Sequence, residues 1–209
     1  CLARLACSLS GKARCEMSAP IHTTTDWQAG HYDLVIDVRS PSEFADDHIP
    51  GAINLPALSD EQRAVVGTLY KQTSAFEARK TGAAIMSRNI AHHIETVLKD
   101  KPAGFRPLIH CWRGGQRSRA FALVLSEVGW TTHLLAGGYK AYRRDILDRL
   151  KDMPLRLKLQ IIAGRTGSGK TALLQHLQQK GAQILDLEDL AAHRGSLLGQ
   201  IPGRPQPSQ

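Results

Sequence analysis

One cysteine stands out by what surrounds it. In His110-Cys111-Trp112-Arg113-Gly114-Gly115-Gln116-Arg117-Ser118, a lone thiol is followed by two adjacent glycines and flanked by arginines. Paired glycines let successive backbone N–H groups turn inward, and a helix starting after them adds its positive N-terminal end, so the stretch reads as a cradle for an anion. The same field favours thiolate over thiol and lowers the cysteine pKa. Trp112, Arg113, Gly114, Gly115, Gln116 and Arg117 are the expected walls of the cradle, and Arg119 adds charge nearby. A nucleophilic sulfur so placed suits attack on, or storage of, a sulfur, selenium or phosphorus group. An inert buried cysteine needs neither the glycine pair nor the arginines.

A second stretch carries different chemistry. Gly164-Arg165-Thr166-Gly167-Ser168-Gly169-Lys170-Thr171 matches G-x-x-x-x-G-K-[ST] in full. Gly164, Gly167, Ser168, Gly169 and Lys170 are expected to hold a di- or triphosphate, with Thr171 reaching its Mg²⁺ and no fixed protein metal site. Asp186, some way downstream, either contacts that metal or caps the next helix.

Both motifs need a strand before them and a helix after. PLIH (107–110) reads as a short buried strand into the cysteine loop, and 117–128 as a helix with Ala120, Leu123, Val124 and Val128 along one face. Upstream, 33–38 is a β-rich run ending at Asp37 and Arg39, and Pro41 suits the first turn of a helix over 41–48. His48 to Pro56 is a turn and another strand. Ser59 is a plausible N-cap for a helix, and Met86, Ile90, Ile94, Val97 and Leu98 mark one face of a second. Lys71, Arg79, Lys80 and Arg88 in this region form a solvated face or contact RNA. Residues 131–135 are a strand, and Gly137-Gly138-Tyr139-Lys140 opens a helix to about Lys151. Such alternation argues for an α/β fold with a mainly parallel sheet flanked by helices. Beyond a boundary at Pro154, 158–163 and 183–188 read as strands around the phosphate loop and its helix.

The 209 residues, 42% hydrophobic and 22% charged, suit one large domain or two small ones. No apolar run approaches the roughly 20 residues of a membrane span, so no membrane partner is expected. A net charge of +8 and a pI near 9.6 point to a polyanion such as RNA, or only aid solubility. Cys1, Cys7 and Cys15 fit no zinc or CxxC spacing, and Cys111 is alone in the rest of the chain, which suggests a reduced thiol and a cytoplasmic location. Residues 1–17 are read as an extension outside the fold, with Met17 as the natural start, 18–152 as one domain, and 155–209 as an incomplete second domain.

DVRSPSEF, HIPGAINLP, HCWRGGQRS and GGYKAYRR, in that order, resemble a rhodanese domain. Followed by GRTGSGKT and DLEDLAAHRGSLLG, they resemble the tRNA 2-selenouridine synthase family, in which a rhodanese-like domain precedes a P-loop NTPase-like α/β domain. The resemblance implies replacement of sulfur by selenium in wobble 2-thiouridine of tRNA. It implies selenophosphate and geranyl diphosphate as co-substrates, an S-geranyl-2-thiouridine intermediate and an enzyme supplying selenophosphate as a partner. By the same resemblance the reactive cysteine is Cys111, expected to carry the chalcogen as a persulfide or selenosulfide, and the P-loop takes the diphosphate or else a nucleotide. Lys140, Arg143 and Arg144 are candidate tRNA contacts, because a polyanion must approach the cysteine loop. Two alternatives act through Cys111: a rhodanese-type sulfurtransferase and, since HCWRGGQRS also satisfies H-C-x₅-R-[ST], a cysteine phosphatase.

Overall fold

The computed structural model describes residues 18–153, 158–165, 167–195 and 199–207. The expected extension 1–17, Pro154 at the expected boundary, and Thr166 of the P-loop lie outside them. The chain divides into two compact units between Asp152 and Met153.

The first unit is organised by sheet pairing. Strands β1 (Ile21–Thr24), β2 (Leu34–Asp37), β3 (Ala52–Asn54), β4 (Pro107–His110) and β5 (Thr132–Leu135) form one sheet in the order β1-β5-β4-β2-β3. Every pairing is parallel. Parallel neighbours require crossovers, and helices α1 (Pro41–Asp46), α2 (Asp60–Gln72), α3 (Ala75–Thr96) and α4 (Gln116–Val128) lie in the connections from β2 to β5, while α5 (Gly138–Asp152) follows the last strand. Successive strand residues point to opposite faces, so the sheet has a core on each side. Ile36 and Ile109 pack on one side with Ile90, Leu98, Phe121, Leu125 and Trp130. Val35 and Leu108 pack on the other with Leu135, Tyr139 and Tyr142.

Local signals set several boundaries. The Ser40 N–H and hydroxyl both donate to Glu43 at the start of α1, at 3.1 and 3.2 Å, with Pro41 as its first residue. Ser59 accepts from Gln62 N–H at 3.2 Å and caps α2. One strand was not foreseen, and one expectation needs correction. Strand β1 had no signal, because three of its four residues are exposed and it exists by pairing with β5. On α4 the buried face is Ser118, Phe121, Ala122, Leu125 and Ser126, whereas Leu123 and Val128 are about half exposed. Reading only apolar residues missed that two serines belong to the inward face.

The second unit contains α6 (Lys170–Gln179) and α7 (Leu187–Leu190). Its expected strands are not formed: 158–163 and 183–186 carry no ladder pairing, and Leu187 and Glu188 belong to α7. A strand is stable only when a neighbour takes its N–H and C=O groups, and none does among the described residues. Leu159, Ile161 and Leu185 are accordingly exposed.

Candidate active site

Cys111 lies at the C-terminal end of β4, between its neighbours β2 and β5, and directly before the loop into α4. In open α/β sheets this is the edge where ligand sites form. The thiol is 3% exposed. Gly115 N–H donates to its Sγ at 3.2 Å, and the Ser118 hydroxyl lies 3.3 Å from it. Burial works to raise the Cys111 pKa, but the Ser118 hydroxyl and the N–H groups of Ser118, Gly115 and Arg113 outweigh it and bring the thiol below its ordinary value. The sulfur therefore sits in a cup of donors at the N-terminal end of a 13-residue helix.

The cup is held from behind by α5. Tyr139 N–H donates to the Cys111 carbonyl at 2.9 Å and Lys140 N–H to the Trp112 carbonyl at 3.0 Å. These are first-turn donors that a helix cannot satisfy internally. The approach is close enough that a Cβ on Gly138 would lie 2.2 Å from the Cys111 carbonyl oxygen. Gly114, at φ +66, turns the loop, and a Cβ there would lie 3.1 Å from the Leu135 carbonyl oxygen.

A buried charge network lies beneath. Arg39, 1% exposed, donates to the Asp37 carboxylate at 2.6 to 3.0 Å and to the Asp47 carbonyl at 2.6 Å. Its guanidinium also lies 3.9 Å from the Tyr139 ring centroid. The Tyr139 hydroxyl donates to Asp47, and burial together with that bond pushes its pKa up to about 12. His110, fully buried beside Asp37, has neither ring nitrogen hydrogen-bonded. Burial outweighs the Asp37 charge and lowers its pKa to about 4, so the ring is neutral.

The other expected wall residues are placed differently from one another. Trp112, Arg113 and Gln116 are exposed around the loop. Arg117 turns its guanidinium to Glu43, with Nη1 donating to Oε2 at 2.8 Å. Burial raises the Glu43 pKa, yet Arg117, the Ser40 N–H and Arg63 outweigh it and hold the carboxyl below its usual value. Arg117 thus has a fixed partner on α1. Lys140 and Arg144 are exposed on α5, with Arg143 between them and half-buried.

In the second unit the P-loop wraps on itself. Lys170 opens α6 behind Gly169, whose φ is 80°, and its Nζ donates to the Gly164 and Arg165 carbonyls at 3.0 and 3.1 Å. A Cβ on Gly164 would lie 2.7 Å from the rotatable Ser168 hydroxyl, so the two sides of the loop approach closely here. Gly167 is also in the left-handed region and Thr171 is exposed in the first turn of α6. These residues have the chemistry to fit a phosphate group, since the lysine that supplies the ammonium is also the first residue of α6. Asp186 caps α7, accepting from Glu188 and Asp189 N–H at 3.0 and 3.1 Å. No cluster of three or more metal-ligating side chains occurs among the described residues.

Ser118 and Glu43 are neighbours of the loop to which the sequence motifs gave no role, while Asp37 and Arg39, read as the end of a strand at the site edge, pair with each other. Comparison with known proteins adds the wider context. Residues 24–145 match the rhodanese-like domain model, and 157–209 match the model for the tRNA 2-selenouridine synthase AAA domain. A tRNA 2-selenouridine synthase of Bdellovibrio bacteriovorus is 41% identical over 176 residues, 84% of this chain and 46% of the relative. One from Nitrosomonas europaea is 40% identical over 176 residues, 84% of this chain and 45% of the relative. The crystal structure of the N-terminal domain of a Clostridium difficile 630 protein described as ATP/GTP-binding has a TM-score of 0.46 and 35% identity, over 55% of this chain and 88% of that one. The chain spans about half the length of the curated relatives it matches. It belongs to the rhodanese-like domain family, in the arrangement of the tRNA 2-selenouridine synthases, a rhodanese-like domain followed by residues that match the model of their AAA domain.

Proposed function

We propose that the protein replaces sulfur by selenium at C2 of wobble 2-thiouridine in tRNA, with Cys111 as its nucleophile. The observation that carries this reading is a thiol biased toward thiolate inside a cup of N–H donors, on a chain that also matches the synthases' AAA domain. The exchange divides into displacements at constant oxidation level. The thiocarbonyl sulfur bonds to C1 of geranyl diphosphate, the C–O bond breaks, diphosphate leaves, and N3 loses its proton. Cys111 Sγ then bonds to C2 and the geranyl thiolate leaves, taking a proton from solvent. The selenium of selenophosphate bonds to C2 in turn and returns Cys111 as thiolate. Water cleaves the P–Se bond, releasing phosphate and 2-selenouridine. A selenosulfide on Cys111 would need zero-valent selenium, whereas selenophosphate delivers selenide, so the thiolate works on carbon.

In this reading Lys170 and the N–H groups at the start of α6 hold the diphosphate, with Mg²⁺ at Thr171. Lys140 and Arg144 meet tRNA phosphates, the thiol works reduced in the cytoplasm, and an enzyme making selenophosphate is the supplying partner. The sulfurtransferase alternative uses the same cup. The phosphatase alternative is disfavoured because Arg117, the arginine required at the phosphoryl oxygens, is held by Glu43.

Mass spectrometry of nucleosides from 2-thiouridine tRNA, incubated with the protein, selenophosphate and geranyl diphosphate, tests the assignment. Cys111→Ser is expected to lose selenouridine but keep S-geranylation, and Lys170→Ala to lose geranylation, because each removes one site's key group. Full selenation by Cys111→Ser would overturn the role of the thiol.

A further inference from the structure

The chain has three tryptophans, and one is unlike the others. Trp27 donates its indole N–H to Asp145 at 2.7 Å, and Trp130 donates to the Pro102 carbonyl at 2.9 Å. Trp112 has no such anchor among the described residues and is 36% exposed, although it directly follows the buried Cys111. A tryptophan usually spends its N–H on the fold when it packs. Here the N–H takes no such partner among the described residues, and the residue is partly exposed one position from the reactive cysteine.

The residue is nevertheless held in place. Its carbonyl accepts from Lys140 N–H at 3.0 Å. Its ring lies 5.3 Å from the Tyr139 ring at an interplanar angle of 32°, with the Arg39 guanidinium 5.9 Å from its centroid. Tyr139 and Arg39 are each 1% exposed, and both are tied to Asp47. An aromatic face backed by buried groups costs less entropy to use than a free one, which is what a stacking platform requires. Exposed cations follow it in the chain and on the helix behind it: Arg113 is the next residue, Lys140 is the one whose N–H meets the Trp112 carbonyl, and Arg144 is one turn further along α5. An unstacked base carried on a phosphate backbone has the matching chemistry: a flat π face with negative charge on either side.

We infer that Trp112 is the platform on which the reacting pyrimidine stacks, bringing C2 over Cys111. The inference rests on the proposed selenium exchange for the identity of the base. Trp112→Ala removes the face, and Trp112→Phe keeps a smaller one. With an anticodon stem-loop RNA carrying 2-thiouridine, Trp112→Ala is expected to raise KM for selenation by about 5- to 100-fold, the usual effect of losing one base stack. Trp112→Phe should recover most of the loss. The pH profile of Cys111 alkylation should be unchanged in both variants, because no Trp112 group donates to the sulfur.

A second readout is independent of turnover. Quenching of protein fluorescence by the RNA should be present in the unsubstituted protein and largely absent in Trp112→Phe. If the unsubstituted protein incorporates no selenium, the exchange reading fails and this quenching alone decides the platform. An unchanged KM, no quenching difference, or an alkylation profile that moves together with KM would each overturn the platform. So would a loss confined to the S-geranylated substrate, which would make Trp112 a contact for the prenyl chain instead.

Discussion

Ser118 has one hydroxyl proton and two acceptors in reach, Cys111 Sγ at 3.3 Å and the Gly115 carbonyl at 3.2 Å. With the neutral thiol either can take it; with the thiolate the sulfur is the stronger acceptor. Ionisation of Cys111 and orientation of Ser118 are therefore coupled. A hydrogen bond to a charged group contributes about 1.5–3 kcal/mol, so Ser118→Ala should slow alkylation of Cys111 at neutral pH by about tenfold or more. The alkaline limb of the alkylation profile should move to higher pH, and an unmoved limb would leave the N–H groups as the whole cause. The linkage runs the same way. Because the native thiol titrates below its ordinary value of 9.0, the unfolded chain binds more protons in that window, and the fold gains stability as pH rises through it.

At the level of elements, the cysteine cup is a joint between two helices. α4 supplies donors to the sulfur, and α5 supplies donors to the carbonyls behind it. Gly138→Ala forces a methyl into the Cys111 carbonyl and does so at φ +59. We expect it to destabilise the first unit by about 2–4 kcal/mol and to slow thiol alkylation, read from the unfolding midpoint of buried Trp130 fluorescence. Native-like stability would mean that α5 can retreat from the loop. Much of the first unit was legible in the sequence: the strand PLIH, the glycine pair, Pro41 at the start of α1, the N-cap Ser59, and the start of α5 are local signals. What was not legible depends on partners distant in the chain. Glu43 is 74 residues from Arg117 and neutralises an arginine that looks free in the motif. Ser118 looks like a surface residue until α4 is rotated against the sheet. The strands expected at 158–163 and 183–188 have suitable residues, but local propensity does not supply a ladder.

For the molecule as a whole, the excess positive charge matters only where it is unpaired and near the site. Arg149 is bound to Asp145 and Lys151 to Asp148, which leaves Lys140 and Arg144 as the exposed cations on α5 nearest the cup. Reversing Lys140 and Arg144 to Glu should weaken tRNA binding and flatten its salt dependence by about 0.7–0.9 for each phosphate that is no longer neutralised. An unchanged slope would make them a solvated helix face. The central strand sets a different limit on the molecule. His110 stays neutral down to about pH 4, whereas in the unfolded chain it takes up a proton near 6.5. Its folded pKa is the lower one, so the stability it leaves intact above pH 6.5 is withdrawn as the medium acidifies toward 4, by up to about 3 kcal/mol. That is a large share of a small domain's margin. A urea midpoint that falls between pH 7 and pH 5, and falls less in His110→Gln, would trace the loss to this residue. The imidazole beneath the nucleophile thus makes the first unit acid-labile from within, a proton trap that opens only when the sheet does.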